Sequence, residues 1–168
     1  MTAVRAEAPG DSAAIRRVNR LAFATPAEAG LVDLLRERGK LSLSLVAVDG
    51  GEVVGHIAFS RARLASRPEV EGLGLGPMAV APARQREGIG SALVRAGVRA
   101  CAAGGARFVV VLGHPDYYPR FGFVPASRFA LACTWPVPEG VFMAVELTPG
   151  ALAGAGGTVS YEPEFDDV

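Results

Sequence analysis

The chain has 168 residues, a length that corresponds to one domain able to enclose a sizeable core. Half of the residues are hydrophobic and 20% are charged, which argues against intrinsic disorder. Lys and Arg together number 17, as do Asp and Glu, so no net field draws in nucleic acid or an anionic membrane, and a small or neutral partner is expected.

A short strand is predicted at Thr2–Ala6. A helix follows, with Asp11 and Ser12 as N-caps and Ile15, Val18, Leu21 and Ala22 at helical spacing. The next helix start carries Thr25 as N-cap, Pro26 at the first helical position and Glu28 as capping-box partner. Leu31, Leu34 and Leu35 mark its buried face and Gly39 ends it. Leu41–Val48 and Glu52–Leu64 read as strands joined by Asp49-Gly50-Gly51, a hairpin turn expected to serve folding and to take no part in catalysis.

Leu73–Val80 reads as a fourth strand, and Pro77 within it removes a ladder hydrogen bond, so the strand is expected to bend there. A loop over residues 81–87 leads to Gly88. Ile89, Leu93, Gly97, Val98 and Cys101 then mark one face of a long helix that ends at Gly104-Gly105. Phe108–Leu112 is a continuous apolar run, as expected of a strand covered on both faces, and strand, helix and strand in succession imply a parallel, right-handed crossover. A helical turn near Tyr117–Phe121 and strands near Phe129–Ala132 and Val141–Leu147 follow. The glycine-rich run Gly150–Thr158 reads as a surface tail, with residues 150–168 closing a single domain of residues 1–168. The whole is an α+β fold with a mixed sheet.

Apolar runs fall far short of the roughly 18 residues of a membrane span, and Arg5, Glu7 and Asp11 interrupt the N-terminus where a signal peptide keeps its apolar stretch. A cytoplasmic location is the expectation. Cys101 and Cys133 form no CxxC and read as buried thiols. The two histidines, His56 and His114, lie 58 positions apart and no carboxylate cluster has ligand spacing, so no metal is expected.

Chemistry concentrates where the fourth strand passes into the long helix. A helix N-terminus offers unpaired backbone N–H groups and about half a positive charge. Gly88 and Gly90 remove the Cβ atoms that would hold a phosphate away, and a pyrophosphate cradle results. GxxxxGK[ST] is absent, and G-x-G-x-x-G is not met because the third position after Gly90 is Leu93.

The run Gln85-Arg86-Glu87-Gly88-Ile89-Gly90 resembles the Q/R-x-x-G-x-G/A acetyl-coenzyme A motif of the GNAT (Gcn5-related) N-acetyltransferase family. About 30 residues later, Tyr118-Pro119-Arg120-Phe121-Gly122-Phe123 is similar to that family's tyrosine-x-x-x-Gly-Phe signature. The β-α-α-β-β-β-α-β-α-β-β order extends the resemblance over nearly the whole chain, and the closing FMAVELTPGALAGAGGTVSYEPEF looks like the ending of a subgroup of small bacterial members. The resemblance implies a mostly antiparallel mixed sheet with a splayed parallel pair of fourth and fifth strands, and helices on both faces. It also implies transfer of the acetyl group from acetyl-coenzyme A, the co-substrate, to a primary amine through a tetrahedral intermediate. Met78, Ala79 and Val80 would pair by backbone with the pantetheine arm, while Arg86, Glu87, Gly88, Ile89, Gly90 and Ser91 would surround the pyrophosphate, mostly through N–H groups. Glu87 would repel phosphate unless it points to solvent, and stabilising the helix N-terminus is its simpler role. Tyr118 matches the family's proton-donating tyrosine, and a phenol of pKa near 10 suits a thiolate of about 8.5.

An alkylamine is only about one part in a thousand neutral at pH 7, so a base is needed, acting directly or through water. Glu71 at the start of the fourth strand, His114 and Asp116 after the fifth, and His56 within the third are the candidates, and Glu71 is taken forward. His56, in VVGHIAF, reads as a satisfied half-buried histidine. Partners are a small-molecule or peptide amine and, as an option, a second copy of the chain in a homodimer, with neither nucleic acid nor membrane. A non-catalytic acyl-coenzyme A binding or sensing module and a protein acetyltransferase remain the alternatives. Residues 23–30, 61–70 and 134–141 are the expected substrate loops.

Overall fold

A computed structural model describes the whole chain, Met1–Val168. In order its elements are β1 (Thr2–Ala6), α1 (Ser12–Ala22), α2 (Ala27–Glu37), β2 (Leu43–Asp49), β3 (Glu52–Leu64), β4 (Gly72–Val80), α3 (Ile89–Ala103), β5 (Phe108–Leu112), β6 (Val124–Pro125), β7 (Leu131–Cys133), β8 (Phe142–Glu146) and β9 (Gly157–Ser160), with short 3₁₀ turns between them. The chain divides into two compact bodies, residues 1–60, 76–97 and 163–168 in one and residues 61–75 and 98–162 in the other.

In the first body β1 and β2, then β2 and β3, pair antiparallel. The register between β2 and β3 shifts between Ala47 and Val48, ahead of the Gly50-Gly51 turn, where both glycines take positive φ. Ile15 of α1 and Val32 of α2 pack with Val46 and Val53 of the strands into one buried cluster. The residue that α1 turns inward beside Ile15 and Val18 is Asn19, fully buried, whereas Leu21, expected on that face, is 58% exposed. The apolar spacing misassigns this position because a buried hydrogen-bond partner, His56, outweighs the polarity of Asn19.

Two glycines bring α3 close to β3. A Cβ on Gly55 of β3 would lie 3.0 Å from both Ile89 and Leu93. A Cβ on Gly97 of α3 would stand 2.6 Å from the Phe59 ring. Helix and strand therefore pack backbone to side chain at these points, with Phe59 and Leu93 fully buried.

In the second body the first half of β4 runs parallel to β5 from Gly72–Phe108 to Leu75–Val111. The ladder stops one residue before Gly76, which takes φ +141 ahead of the cis bond to Pro77. Phe108–Val111 are buried throughout, as a strand covered on both faces requires. β5 pairs antiparallel with β8, and β8 with β6. The observed architecture is thus the expected α+β fold, with a mixed sheet and a parallel β4/β5 pair.

The glycine-rich run is not a surface tail. Leu152 is fully buried and Ala151 and Ala155 nearly so, and β9 pairs parallel with β7 and antiparallel with the end of β3. Gly150, Gly154, Gly156 and Gly157 all take positive φ, so the glycines tighten the coil instead of loosening it. Its carbonyls have partners, since Arg67 donates to those of Ala151 and Ala153 and the Ser66 hydroxyl reaches those of Ala155 and Gly156. In the first body, Glu164 near the C-terminus is buried against Arg38 at 2.8 Å and Lys40 at 3.0 Å. Of the two thiols, Cys101 is buried, and burial pushes its pKa up to about 12, whereas Cys133 is half-buried.

Gly97→Ala is expected to lower stability by about 1–2 kcal/mol, because overpacking against Phe59 outweighs alanine's helical preference. Gly30→Ala, at an exposed position of α2 where a Cβ meets nothing within 4 Å, is expected to gain up to about 1 kcal/mol. Denaturant midpoints of the two variants check the contrast, and equal shifts would refute the close approach.

Candidate functional site

At the end of β4, Met78 and Val80 are half-buried and Ala79 is buried. The Ala81 N–H donates to the Val54 carbonyl at 2.9 Å, which keeps this end of the strand tied to β3. Beyond it a 3₁₀ turn, Pro82–Arg84, leads into the loop, and the Gln85 side chain donates to the Val80 carbonyl at 3.2 Å. Arg86 takes φ +67, an uncommon conformation for a residue with a side chain, and Gly88 takes φ +84. A Cβ on Gly88 would meet nothing within 4 Å. The first backbone bond of α3 runs from the Ala92 N–H to the Gly88 carbonyl at 3.0 Å, so the amides of Ile89 and Gly90 precede the helical ladder. Open space over Gly88, amides aimed out of a 15-residue helix and the positive end of its dipole together make an anion cradle.

An ion-pair chain braces the loop. The Arg84 guanidinium donates to Glu87 at 3.0 Å and to Asp49 at 2.8 Å. Glu87 is therefore held by Arg84 instead of projecting alone towards an anion. Asp49 belongs to the hairpin turn and also binds the N-terminal amine at 3.1 Å, so the turn does more than reverse the chain: one of its residues anchors the cradle. The Arg84 hydrogen bond, then the N-terminal amine, hold the Asp49 carboxyl below its ordinary pKa.

In the second body, Tyr118 opens a 3₁₀ turn, Tyr118–Phe121, closed by Gly122 at φ +94. Its ring is buried, edge-on to Tyr117 at 5.1 Å and to Phe123 at 5.7 Å. Gly113, at the end of β5, leaves the room that the Tyr118 ring fills. Burial, and then the neighbouring Tyr117, push the Tyr118 phenol up to about 12, so it stays protonated at neutral pH.

An acetyltransferase (GNAT) domain model matches residues 40–125. The chain is 38% identical over 164 residues to "Uncharacterized N-acetyltransferase YhbS" of Escherichia coli, covering 97% of this chain and 98% of that protein. The crystal structure of the E. coli GNAT family N-acetyltransferase YhbS in complex with CoA superposes with a TM-score of 0.94 at 37% identity, covering 98% of this chain and 92% of that one. A GNAT family acetyltransferase from Brucella melitensis in complex with acetyl-CoA gives a TM-score of 0.81 at 37% identity over 99% of both chains. The chain belongs to the GNAT family.

Glu71, expected as the base, lies in the second body. It is exposed and precedes the first residue of β4, and its carboxylate lies beside the Gly104-Gly105 turn, 3.8 Å from a Cβ built on Gly105. His114 and Asp116 are exposed in the loop after β5, and the His114 carbonyl accepts the amides of Tyr117 and Tyr118.

His56 is satisfied, as expected, but fully buried. Asn19 Nδ2 sits 3.2 Å from His56 Nδ1, and Ser44 Oγ 2.8 Å from His56 Nε2. Ser44 in turn donates to Glu7, which Arg36 holds through two bonds of 2.8 and 2.9 Å. Because the Ser44 hydroxyl donates to Glu7, Ser44 Oγ accepts from Nε2–H, and Nδ1 accepts from Asn19. Desolvation lowers the His56 pKa to about 4, against a smaller opposing pull from Glu7.

Arg84 and Gly113 carry no motif signal in the sequence, and Asp49 reads there only as a turn residue. The i,i+3 spacing of Arg84 and Glu87 is a legible signal for one bond, but Arg84 and Asp49 meet across 35 positions of chain, and the Gly113–Tyr118 contact depends on the fold of the turn between them.

His56 predicts a pH slope in stability. Its pKa is depressed in the folded chain, so between about 6.5 and about 4 the unfolded chain binds more protons, and stability falls as pH drops through that window by about 3 kcal/mol. Stability curves at pH 7, 5.5 and 4 should show this fall in the native chain and a shallower one in His56→Gln; identical slopes would refute it.

Proposed function

We propose that this chain transfers the acetyl group of acetyl-CoA to a primary amine by direct attack of the amine on the thioester carbonyl. The observation that carries the reading is the cradle: Gly88 open at positive φ, the α3 amides beside it, and Glu87 drawn off by Arg84. The CoA and acetyl-CoA complexes of the E. coli and B. melitensis relatives support it. In this reading Arg86, Glu87, Gly88, Ile89, Gly90 and Ser91 surround the pyrophosphate, chiefly by backbone N–H, and Arg86 adds positive charge at the rim. The backbone of Met78, Ala79 and Val80 pairs with the pantetheine arm, and an N–H of this segment faces the oxyanion.

As the amine nitrogen bonds to the carbonyl carbon, the amine loses a proton to a base, through water, and the C–S bond then breaks with the electron pair on sulfur. Tyr118 supplies the sulfur's proton. Its burial sharpens the requirement. A phenol of pKa about 12 gives its proton to a free thiolate of about 8.5 only uphill, by roughly 5 kcal/mol. Transfer is therefore coupled to C–S cleavage in the same dry surroundings, which raise the thiolate's own basicity. Across pH 6–9 Tyr118 stays neutral and adds no inflection to the rate profile.

Two variants test the reading separately. Gly88→Val is expected to weaken acetyl-CoA binding about a hundredfold, or about 2.7 kcal/mol, in a chain whose circular dichroism is native; unchanged affinity in a folded variant would sink the cradle. Tyr118→Phe is expected to keep acetyl-CoA binding while turnover, read as release of free CoA thiol with a panel of amines, falls about 10²- to 10⁴-fold. Full activity in Tyr118→Phe with a large loss in Tyr117→Phe would move the role one residue back. Acetyl-CoA binding with no thiol release from any amine would make the native chain a binding module.

A further inference from the structure

In the second body the segment between β7 and β8 walls a cavity of about 240 Å³, whose lining includes Leu131, Cys133, Trp135, Glu139 and Phe142. No Lys, Arg or His lines it, and Glu139 is its one ionisable carboxylate. The Ser127 hydroxyl holds one oxygen of that carboxylate at 2.8 Å, which leaves acceptor capacity for a cation. The Trp135 ring is braced against Tyr161 at 5.3 Å, and the Cys133 thiol donates to the Trp135 carbonyl at 3.2 Å. The cavity also adjoins the segment that leads from β5 to the Tyr118 turn. The Gly113 N–H donates to the Val141 carbonyl at 3.0 Å, Leu112 pairs with Phe142, and a Cβ on Gly140 would lie 3.9 Å from Pro115.

We infer that this cavity selects the acceptor, and that the acceptor is a diamine: two amino groups on an apolar spacer, the spacer against Trp135 and Phe142 and the group that is not acetylated paired with Glu139. The inference rests on the acetyltransferase reading and names its substrate class. A carboxylate paired with the reacting nitrogen would stabilise the ammonium form and oppose the neutral amine that attack requires. Glu139 is therefore suited to a cation that does not react. An acceptor bearing a carboxylate at the same end would face Glu139 with no basic side chain to offset it, so amino acids are disfavoured.

Trp135 is the single tryptophan of the chain, so its fluorescence reads occupancy without turnover. Cadaverine, pentylamine and aminovalerate form a matched series of diamine, monoamine and amino acid. Cadaverine should titrate the Trp135 emission to saturation, with pentylamine at least fivefold weaker and aminovalerate weaker still. Glu139→Gln should bring cadaverine down to the level of pentylamine. In thiol-release assays the same order should fall in KM and not in kcat. Equal affinity across the series, no emission change with cadaverine, or a cadaverine preference that survives Glu139→Gln would each overturn the site. If the fluorescence order holds and no amine releases thiol, the acetyltransferase reading fails and the diamine site stands. If thiol is released with indifference to the second charge, only the site fails.

Discussion

The amide-bearing end of α3 can stand close to β3 only because two side chains are missing. At Gly55 the strand presents bare backbone to Ile89 and Leu93, and at Gly97 the helix presents bare backbone to Phe59. Interiors are packed too densely for an inserted methyl group to be absorbed without movement. The same contact that buries Ile89 and Leu93 thus sets where the first amides of α3 lie relative to the end of β4, and the cradle inherits its geometry from core packing.

Electrostatics then finishes what packing begins. A loop that offers amides to an anion carries a liability in Glu87, and Arg84 answers it by binding Glu87 and Asp49 together. The pairs are partly exposed, so each contributes little to stability. Their consequence is orientation: a carboxylate is turned into an ion pair and the loop is tied to the hairpin turn. Deeper in the same body, Asn19, His56, Ser44, Glu7 and Arg36 form a directed hydrogen-bond chain from α1 through β3 and β2 to α2. Burial keeps the histidine neutral, which makes it a poor base near neutral pH and a good structural link between layers.

The second body solves a different problem, that of holding a phenol dry. Gly113 makes room for the Tyr118 ring as Gly74 does for Tyr161, and aromatic neighbours exclude water around both. The resulting rise in the Tyr118 pKa keeps the phenol protonated and makes it a weaker acid. The glycine-rich segment belongs to this body's core, where positive-φ turns bury Leu152 and deliver β9 to β7 and β3.

By itself the sequence determined whatever depends on neighbours within a few positions. Apolar periodicity located α1, α2 and α3, and Asp49-Gly50-Gly51 marked the turn between β2 and β3; the Thr25-Pro26-Glu28 signal came within a residue of the start of α2, whose N-cap is Pro26 and not Thr25. The runs around Gly88–Gly90 and Tyr118–Phe123 pointed to the GNAT family. Composition misled at Gly150–Thr158, because small residues look equally suited to a loose tail and to a tight buried coil, and only the partners of the backbone carbonyls distinguish them. Tertiary structure decided what distance along the chain conceals: that Asn19 and not Leu21 faces inward, against His56, and that Asp49 reaches Arg84. The partners of Asn19 and of Asp49 lie more than 30 residues away along the chain, and propensity and spacing carry no information about such contacts.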